Sequence, residues 1–261
     1  MTNQLITSKP SLQNEVDLFK HEWLYHLPVP DTASGSFQYG GADGIIDFAV
    51  NAFGGTLANF DVLELGPNEG EISYKLARFL PRSLTSIEGR TSGYLKSLIA
   101  SNVLGFRSRI MLGDFVQYMN GCDRKFDLNV VCGVLYHMVN PLEFLELCCK
   151  VSDRLIITTH YFDHDRLVEA RKKTDVSWAM PDGGKGFRVM HNGFGCEYFR
   201  HEYGPAGHEG SSGGLEYHAH FMKREDILAC LAHFGHGVLH EHDDPACARG
   251  PFLWAVTQRK K

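Results

Sequence analysis

The stretch "FDVLELGPNEGEISYKLARFL", residues 60–80, decides how the rest of the chain is read. Val62-Leu63-Glu64-Leu65 is apolar but for one acid, and it stops at Gly66. A helical pattern begins four residues later, at Gly70. A short apolar run bounded by glycine reads as a buried strand, and the spacing after it reads as a helix. A strand, a tight turn and a helix N-terminus form a place where backbone N–H groups can meet a nucleotide.

The same alternation continues outward. Strands are expected at 61–65, 83–87, 109–112, 126–131 and 154–159, with helices over about 70–80, 92–104 and 141–150. A helix near 223–234 and strands at 236–242 and 252–258 follow. Strands alternating with helices imply βαβ units, an α/β fold and a parallel sheet covered on both faces. Upstream, residues 11–27 read as a helix with Leu18, Trp23 and Leu24 buried. Residues 29–44 read as a loop, and Asp43 is placed to cap a helix carrying Ile45, Ile46, Phe48, Ala49 and Phe53. Residues 163–216 show no clean period and hold many aromatics, which points to an ordered, irregular cap. The expected division is a covering segment at 1–55, a nucleotide-binding core at 56–162, a cap at 163–222 and the end of the core at 223–261.

Composition narrows the partners. The chain has 261 residues, 43% hydrophobic and 22% charged, enough for one large core. Its net charge of −5 disfavours nucleic acid, whose binders usually carry a basic face. Arg171-Lys172-Lys173, Lys223-Arg224 and Arg259-Lys260-Lys261 read as solvated surface. No stretch approaches the roughly 20 apolar residues of a membrane helix. "MTNQLITSKP" has no apolar core of a secretory signal, and no two of the seven cysteines have C-x-x-C spacing. The expectation is a reduced, cytoplasmic protein, with a homodimer as an open option.

The turn itself excludes two ligand classes. A P-loop needs G-x-x-x-x-G-K-[ST], which is absent. A dinucleotide site needs G-x-G-x-x-G, whose middle glycine lets backbone touch pyrophosphate. Gly66-Pro67-Asn68-Glu69-Gly70 puts Asn68 there instead. Glu64, Glu69 and Glu71 crowd the turn and would repel a pyrophosphate. They suit a ligand with an ammonium group and no phosphate.

S-adenosylmethionine (SAM) is such a ligand, and the E-x-G-x-x-x-G pattern resembles the first motif of class I SAM-dependent methyltransferases. The resemblance continues in "SIEGR" (86–90), where Glu88 stands 24 residues after Glu64, in "LGDF" (112–115) and in "FDLNVVCGVLYHMVNP" (126–141). It covers residues 60–160 well and 223–258 loosely. It implies a Rossmann-like, mostly parallel seven-stranded sheet with helices on both faces. It further implies that Glu64 orders the turn shaped by Gly66, Pro67, Asn68 and Gly70. Glu88 and Gly89 would hold ribose, Asp114 and Phe115 adenine, and Cys132 and Gly133 the methionyl arm. "GVLYHMVNP" also resembles the tRNA wobble-uridine carboxymethyltransferases and their small-molecule relatives. Those tRNA enzymes carry basic residues after the Y-H pair, where this chain has Met138-Val139-Asn140, and the chain lacks a basic N-terminal extension. Both departures favour a small-molecule substrate.

Transfer from a sulfonium needs alignment and exclusion of water, and a base only if the nucleophile arrives protonated. Groups that follow the fourth and fifth strands are the catalytic candidates: Tyr136, His137 and Tyr161. His160, the loop residue Tyr39, and Trp178, Arg188, Tyr198 and Arg200 of the cap are candidates for holding substrate. His218 with His220, His240 with His242, and His201 and His208 raise the question of a metal, but no ligand motif appears and none is expected. A small-molecule methyltransferase leads. The alternatives are an azetidine-forming enzyme that consumes SAM itself, a tRNA-modifying enzyme and a non-catalytic SAM sensor.

Overall fold

The computed structural model describes residues 5–29, 35, 37–39, 44–173, 185–203, 213–247 and 249–260. Two short strands, β1 (Tyr25–His26) and β2 (Phe37–Gln38), pair in parallel. The alternating region supplies β3 (Asp61–Leu65), β4 (Ser83–Glu88), β5 (Arg109–Leu112), β6 (Leu128–Cys132) and β7 (Arg154–His160). A separate antiparallel sheet holds β8 (Gly186–His191), β9 (Phe194–Glu202) and β10 (His218–Phe221). Last come β11 (His236–Asp244) and β12 (Phe252–Arg259).

The main sheet has seven strands in the order β11-β12-β7-β6-β3-β4-β5. Strands β3 to β7 are parallel, and β12 runs antiparallel to both β7 and β11. The helices are α1 (Leu12–Val16), α2 (Gly44–Ala52), α3 (Glu71–Arg78), α4 (Thr91–Leu104), α5 (Phe115–Asn120), α6 (Pro141–Val151), α7 (His164–Lys173) and α8 (Arg224–His233).

Side chains alternate across a strand, so each central strand feeds two cores. Val62, Val130 and Ile156 pack on one face with Ile45, Ile46 and Val50 of α2 and Leu76 of α3. Leu63, Val131 and Ile157 pack on the other with Leu145 and Cys148 of α6 and Leu231 of α8. Burial on both faces is why these strands read as nearly unbroken apolar runs. Each fully buried Leu, Ile or Val is worth roughly 1.5–3 kcal/mol. The chain leaves β3 for β4 on one side and later returns to β6 on the other. Such a reversal opens a crevice beyond the carboxyl ends of the strands, where ligands bind in open α/β sheets.

Two expectations need correction. Residues 11–27 are not one helix: α1 ends at Val16, a single 3-10 turn follows, and His21 takes φ +71°. Leu18 is consequently 59% exposed, while Trp23 is buried. The cap is also more regular than expected, with α7 and the three-stranded sheet inside it. Its hairpin turns at Asn192-Gly193, both at positive φ, the two-residue signature of a tight hairpin. Asp43 lies outside the described residues.

Candidate active site

A cavity of about 880 Å3 lies beyond the carboxyl ends of β3, β4, β6 and β7. Gly66, Pro67 and Asn68 form one side of it, and Glu88 and Gly89 another. Gly66 has φ +68°, and a Cβ there would stand 2.8 Å from Val134. Glycine is therefore required both by conformation and by the close approach of the β6 loop. Phe115, Cys132 and Gly133 complete this half.

Glu88 is the organising acid. One carboxylate oxygen accepts the Asn68 N–H at 2.9 Å and the other accepts the Arg90 N–H at 2.8 Å. Each oxygen keeps lone-pair capacity toward the cavity. Burial raises its pKa. Glu64 does different work. It is buried beneath the turn, and one oxygen accepts hydrogen bonds from Ser73 of α3 at 2.5 Å and Ser86 of β4 at 2.6 Å. Burial pushes its pKa up to about 7. Glu64 thus ties strand, helix and neighbouring strand together and forms no part of the cavity wall. Gly70 caps α3 at φ +80° and is likewise absent from the wall.

Asp114 departs from the placement the resemblance implies. Its side chain is exposed, caps α5 by accepting the Val116 N–H at 2.7 Å, and lies outside the wall to which Phe115 belongs.

The opposite half is built from side chains. Tyr136 and His137 sit in one 3-10 turn after β6, and His160 ends β7. Burial pushes the Tyr136 phenol up to about 12, so it stays a neutral donor. Burial, with His201, Arg90 and His160 nearby, pushes His137 down to about 3. His137 Nδ1 is hydrogen-bonded to the Tyr203 hydroxyl of the cap. His160 Nδ1 lies 3.2 Å from the Pro251 carbonyl. A carbonyl only accepts, so Nδ1 carries the proton and Nε2 is the basic nitrogen. Burial lowers the His160 pKa as well.

Several expected residues are elsewhere. The buried Tyr161 hydroxyl donates to Asp243 at 2.7 Å, away from the cavity. The Tyr198 hydroxyl accepts the Leu142 N–H at 2.9 Å and so fastens the cap to α6. Arg188 is exposed on β8, and Arg200 is exposed on β9 and pairs with Glu202. Tyr39 donates to the Glu69 carbonyl at 2.9 Å, behind the turn. Trp178 and His208 lie outside the described residues. Among the described residues no group of three or more His, Cys, Asp or Glu is placed to hold a metal ion.

Other wall residues carried no signal of their own. Leu24 and Tyr25 come from the N-terminal segment, Gly213 to Leu215 from the cap, and Arg249 from the loop before β12. Arg90 directly follows the acid-bearing "SIEG" and donates to the Gly214 carbonyl at 2.9 Å, drawing the cap over the cavity.

No family model matches the chain, and no curated protein does. Solved structures do. The N-terminal domain of EvdMO1 with SAH bound superposes with a TM-score of 0.66 at 21% identity, covering 96% of each chain. Magnesium protoporphyrin IX methyltransferase (ChlM) from Synechocystis PCC 6803, with bound SAH, gives 0.58 at 14%, covering 87% of this chain and 90% of its own. The CcbJ methyltransferase from Streptomyces caelestis gives 0.53 at 12%, covering 97% and 100%. At these identities the likeness is one of fold. The sheet is Rossmann-like, as in these matched structures.

Proposed function

We propose that the chain is a SAM-dependent methyltransferase acting on a small molecule. The observation that carries this reading is the convergence of Gly66–Asn68, Glu88 and Cys132–Gly133 on one cavity at the switch point of a seven-stranded sheet. That three of the matched proteins are methyltransferases or hold SAH supports it. The wall suits the cofactor. Glu88 offers acceptor lone pairs for ribose hydroxyls, Phe115 an aromatic face for adenine, and Glu71 a carboxylate for an ammonium. The glycine that would admit a pyrophosphate is replaced by Asn68.

When bound, SAM supplies a methyl carbon already activated for direct displacement. The chain's part is to align the acceptor and exclude water. Tyr136 presents a neutral phenol beside Gly133, within the half that faces the acceptor. His160 takes the acceptor's proton at Nε2 when the nucleophile arrives protonated. Neutral His137, held by Tyr203, keeps the Tyr136 turn in place. Ligand pockets commonly run about 300–1,000 Å3, so about 880 Å3 leaves room for an acceptor beside the cofactor. Arg249 lines the cavity and its charge acts on Tyr136 and His160, which favours an acceptor with an acidic group.

Calorimetry with SAM and SAH tests the cofactor, with micromolar binding expected and no binding overturning it. SAM with purified protein alone should stay intact by mass spectrometry. Methylthioadenosine release would replace the transferase with a SAM-consuming cyclase. A panel of small carboxylic acids and their amides should then show SAH release with the acids.

A further inference from the structure

Glu69 stands in the middle of the turn but is absent from the cavity wall. It is 0% exposed. Its carboxylate accepts the Leu24 N–H at 3.0 Å, the Tyr25 N–H at 3.1 Å and Lys96 Nζ at 3.0 Å. Lys96, 2% exposed, also donates to the Glu22 carbonyl at 2.5 Å. One carboxylate and one ammonium thus hold three positions of the N-terminal segment, Glu22, Leu24 and Tyr25. Leu24 and Tyr25 line the cavity.

The grip continues toward the ligand. Ser97, next to Lys96 on α4, donates to the Asn68 carbonyl at 2.7 Å. The Asn68 N–H donates to Glu88. Asn68 itself has φ +50°, an unfavourable conformation for a non-glycine residue that the surrounding bonds maintain. The path from the N-terminal wall to the acid of the cavity is therefore short: Tyr25 N–H, Glu69, Asn68, Glu88. Taking two charges out of water usually costs more than their attraction returns. A buried pair of this kind is better understood as fixing a geometry than as adding stability.

We propose that Glu69 and Lys96 are positioning residues that couple docking of the Leu24–Tyr25 wall to occupancy of the cofactor turn. This rests on the SAM reading given above. Neither residue lines the cavity. Both set where Asn68 and the wall stand when the cofactor binds, so ligand and wall order one another.

Hydrogen exchange of the Leu24 and Tyr25 amides in the wild-type protein, with and without SAH, tests the coupling without any variant. SAH should slow both at least about tenfold. Glu69→Gln should raise the SAH dissociation constant at least about tenfold and abolish that protection. A paired Glu69→Leu, Lys96→Met change removes both buried charges and so avoids the uncompensated ammonium that Glu69→Gln leaves at Lys96. It should regain thermal stability relative to Glu69→Gln but not the affinity, an outcome a merely structural pair would not give. Wild-type binding of SAH with unchanged exchange at Leu24 and Tyr25 overturns the coupling alone, as does affinity within twofold of wild type in the paired variant. Failure of the wild type to bind SAH overturns the cofactor reading and this coupling with it.

Discussion

The two walls of the cavity are made by different means. The wall beyond β3 and β4 is backbone and carboxylate: the Gly66–Asn68 turn, with the two oxygens of Glu88 closing on the N–H groups of Asn68 and Arg90. Its parts are neighbours in a hydrogen-bonded register, Leu65 beside Ile87. The wall beyond β6 and β7 is side chains from separate segments. Tyr136 packs against His137 at 4.1 Å and edge-on to His160 at 5.1 Å between ring centres, and the cap meets this wall through Tyr203, which is bonded to His137. A backbone wall keeps its shape when distant side chains change. A side-chain wall is retuned by any one of them. The first arrangement suits a ligand that does not vary, the second an acceptor that does.

The largest expected effect lies on the backbone wall. On the proposed SAM reading, Glu88→Ala would remove two charged hydrogen bonds to the ribose, and it leaves the Asn68 and Arg90 N–H groups without their acceptor. At about 1.5–3 kcal/mol per charged bond, SAH affinity should fall two to four orders of magnitude. Calorimetry measures this, and a loss under tenfold would mean the backbone, not the acid, carries the ligand.

Next is the acid beneath that wall. Glu64 has an ordinary value of 4.5 and is pushed up to about 7 by burial, so the folded protein holds its proton more tightly than the unfolded chain. The stabilisation is full below pH 4.5 and is lost as pH rises through 7, a change of roughly 3 kcal/mol. Glu64→Gln cannot ionise and still accepts from Ser73 and Ser86. Urea unfolding of variant and wild type at pH 5 and 8 should show the difference growing in the variant's favour at pH 8. A difference independent of pH would remove Glu64 ionisation from the turn.

The side-chain wall should respond less and elsewhere. Tyr203→Phe deletes the hydroxyl that bonds His137, at a cost of about 1–3 kcal/mol for the group left unpaired. Unfolding should register that loss while SAH affinity stays within twofold. A matching fall in SAH affinity would show that the two walls are one unit.

The contrast between walls also explains what the sequence made legible. Strands at 61–65 and 109–112 stand where the periodicity puts them, because buried parallel strands carry their pattern locally. Glu88 and Cys132 close their strands and Phe115 follows β5, so their place at one end of the sheet was readable. The helix expected over 11–27 ends at Val16, and the chain beyond it is held at Glu22, Leu24 and Tyr25 by Lys96 and Glu69, residues 44 to 74 positions away. No local pattern reports such a contact. Arg249 and the Gly213–Leu215 segment reach the cavity by tertiary placement alone. The Asn192-Gly193 hairpin differs from these: its signal stands in "MHNGF", inside a region whose lack of period concealed it.

The smallest effect belongs to the residue on which strand-end logic and geometry part. Asp114 follows β5, where the methyltransferase resemblance places an acid for the adenine amino group. Here its carboxylate accepts the Val116 N–H as the cap of α5. The two roles predict different losses. A cap is worth about 1 kcal/mol of stability and nothing in affinity. An adenine partner is worth affinity and little stability. Asp114→Ala should therefore unfold at lower urea and bind SAH within twofold of wild type, with Asp114→Ser restoring stability because serine caps nearly as well. If instead Asp114→Ala loses tenfold in SAH affinity, and serine rescues folding but not binding, the carboxylate reaches the base when the ligand is present. The backbone wall would then extend one strand further, to the edge of the sheet.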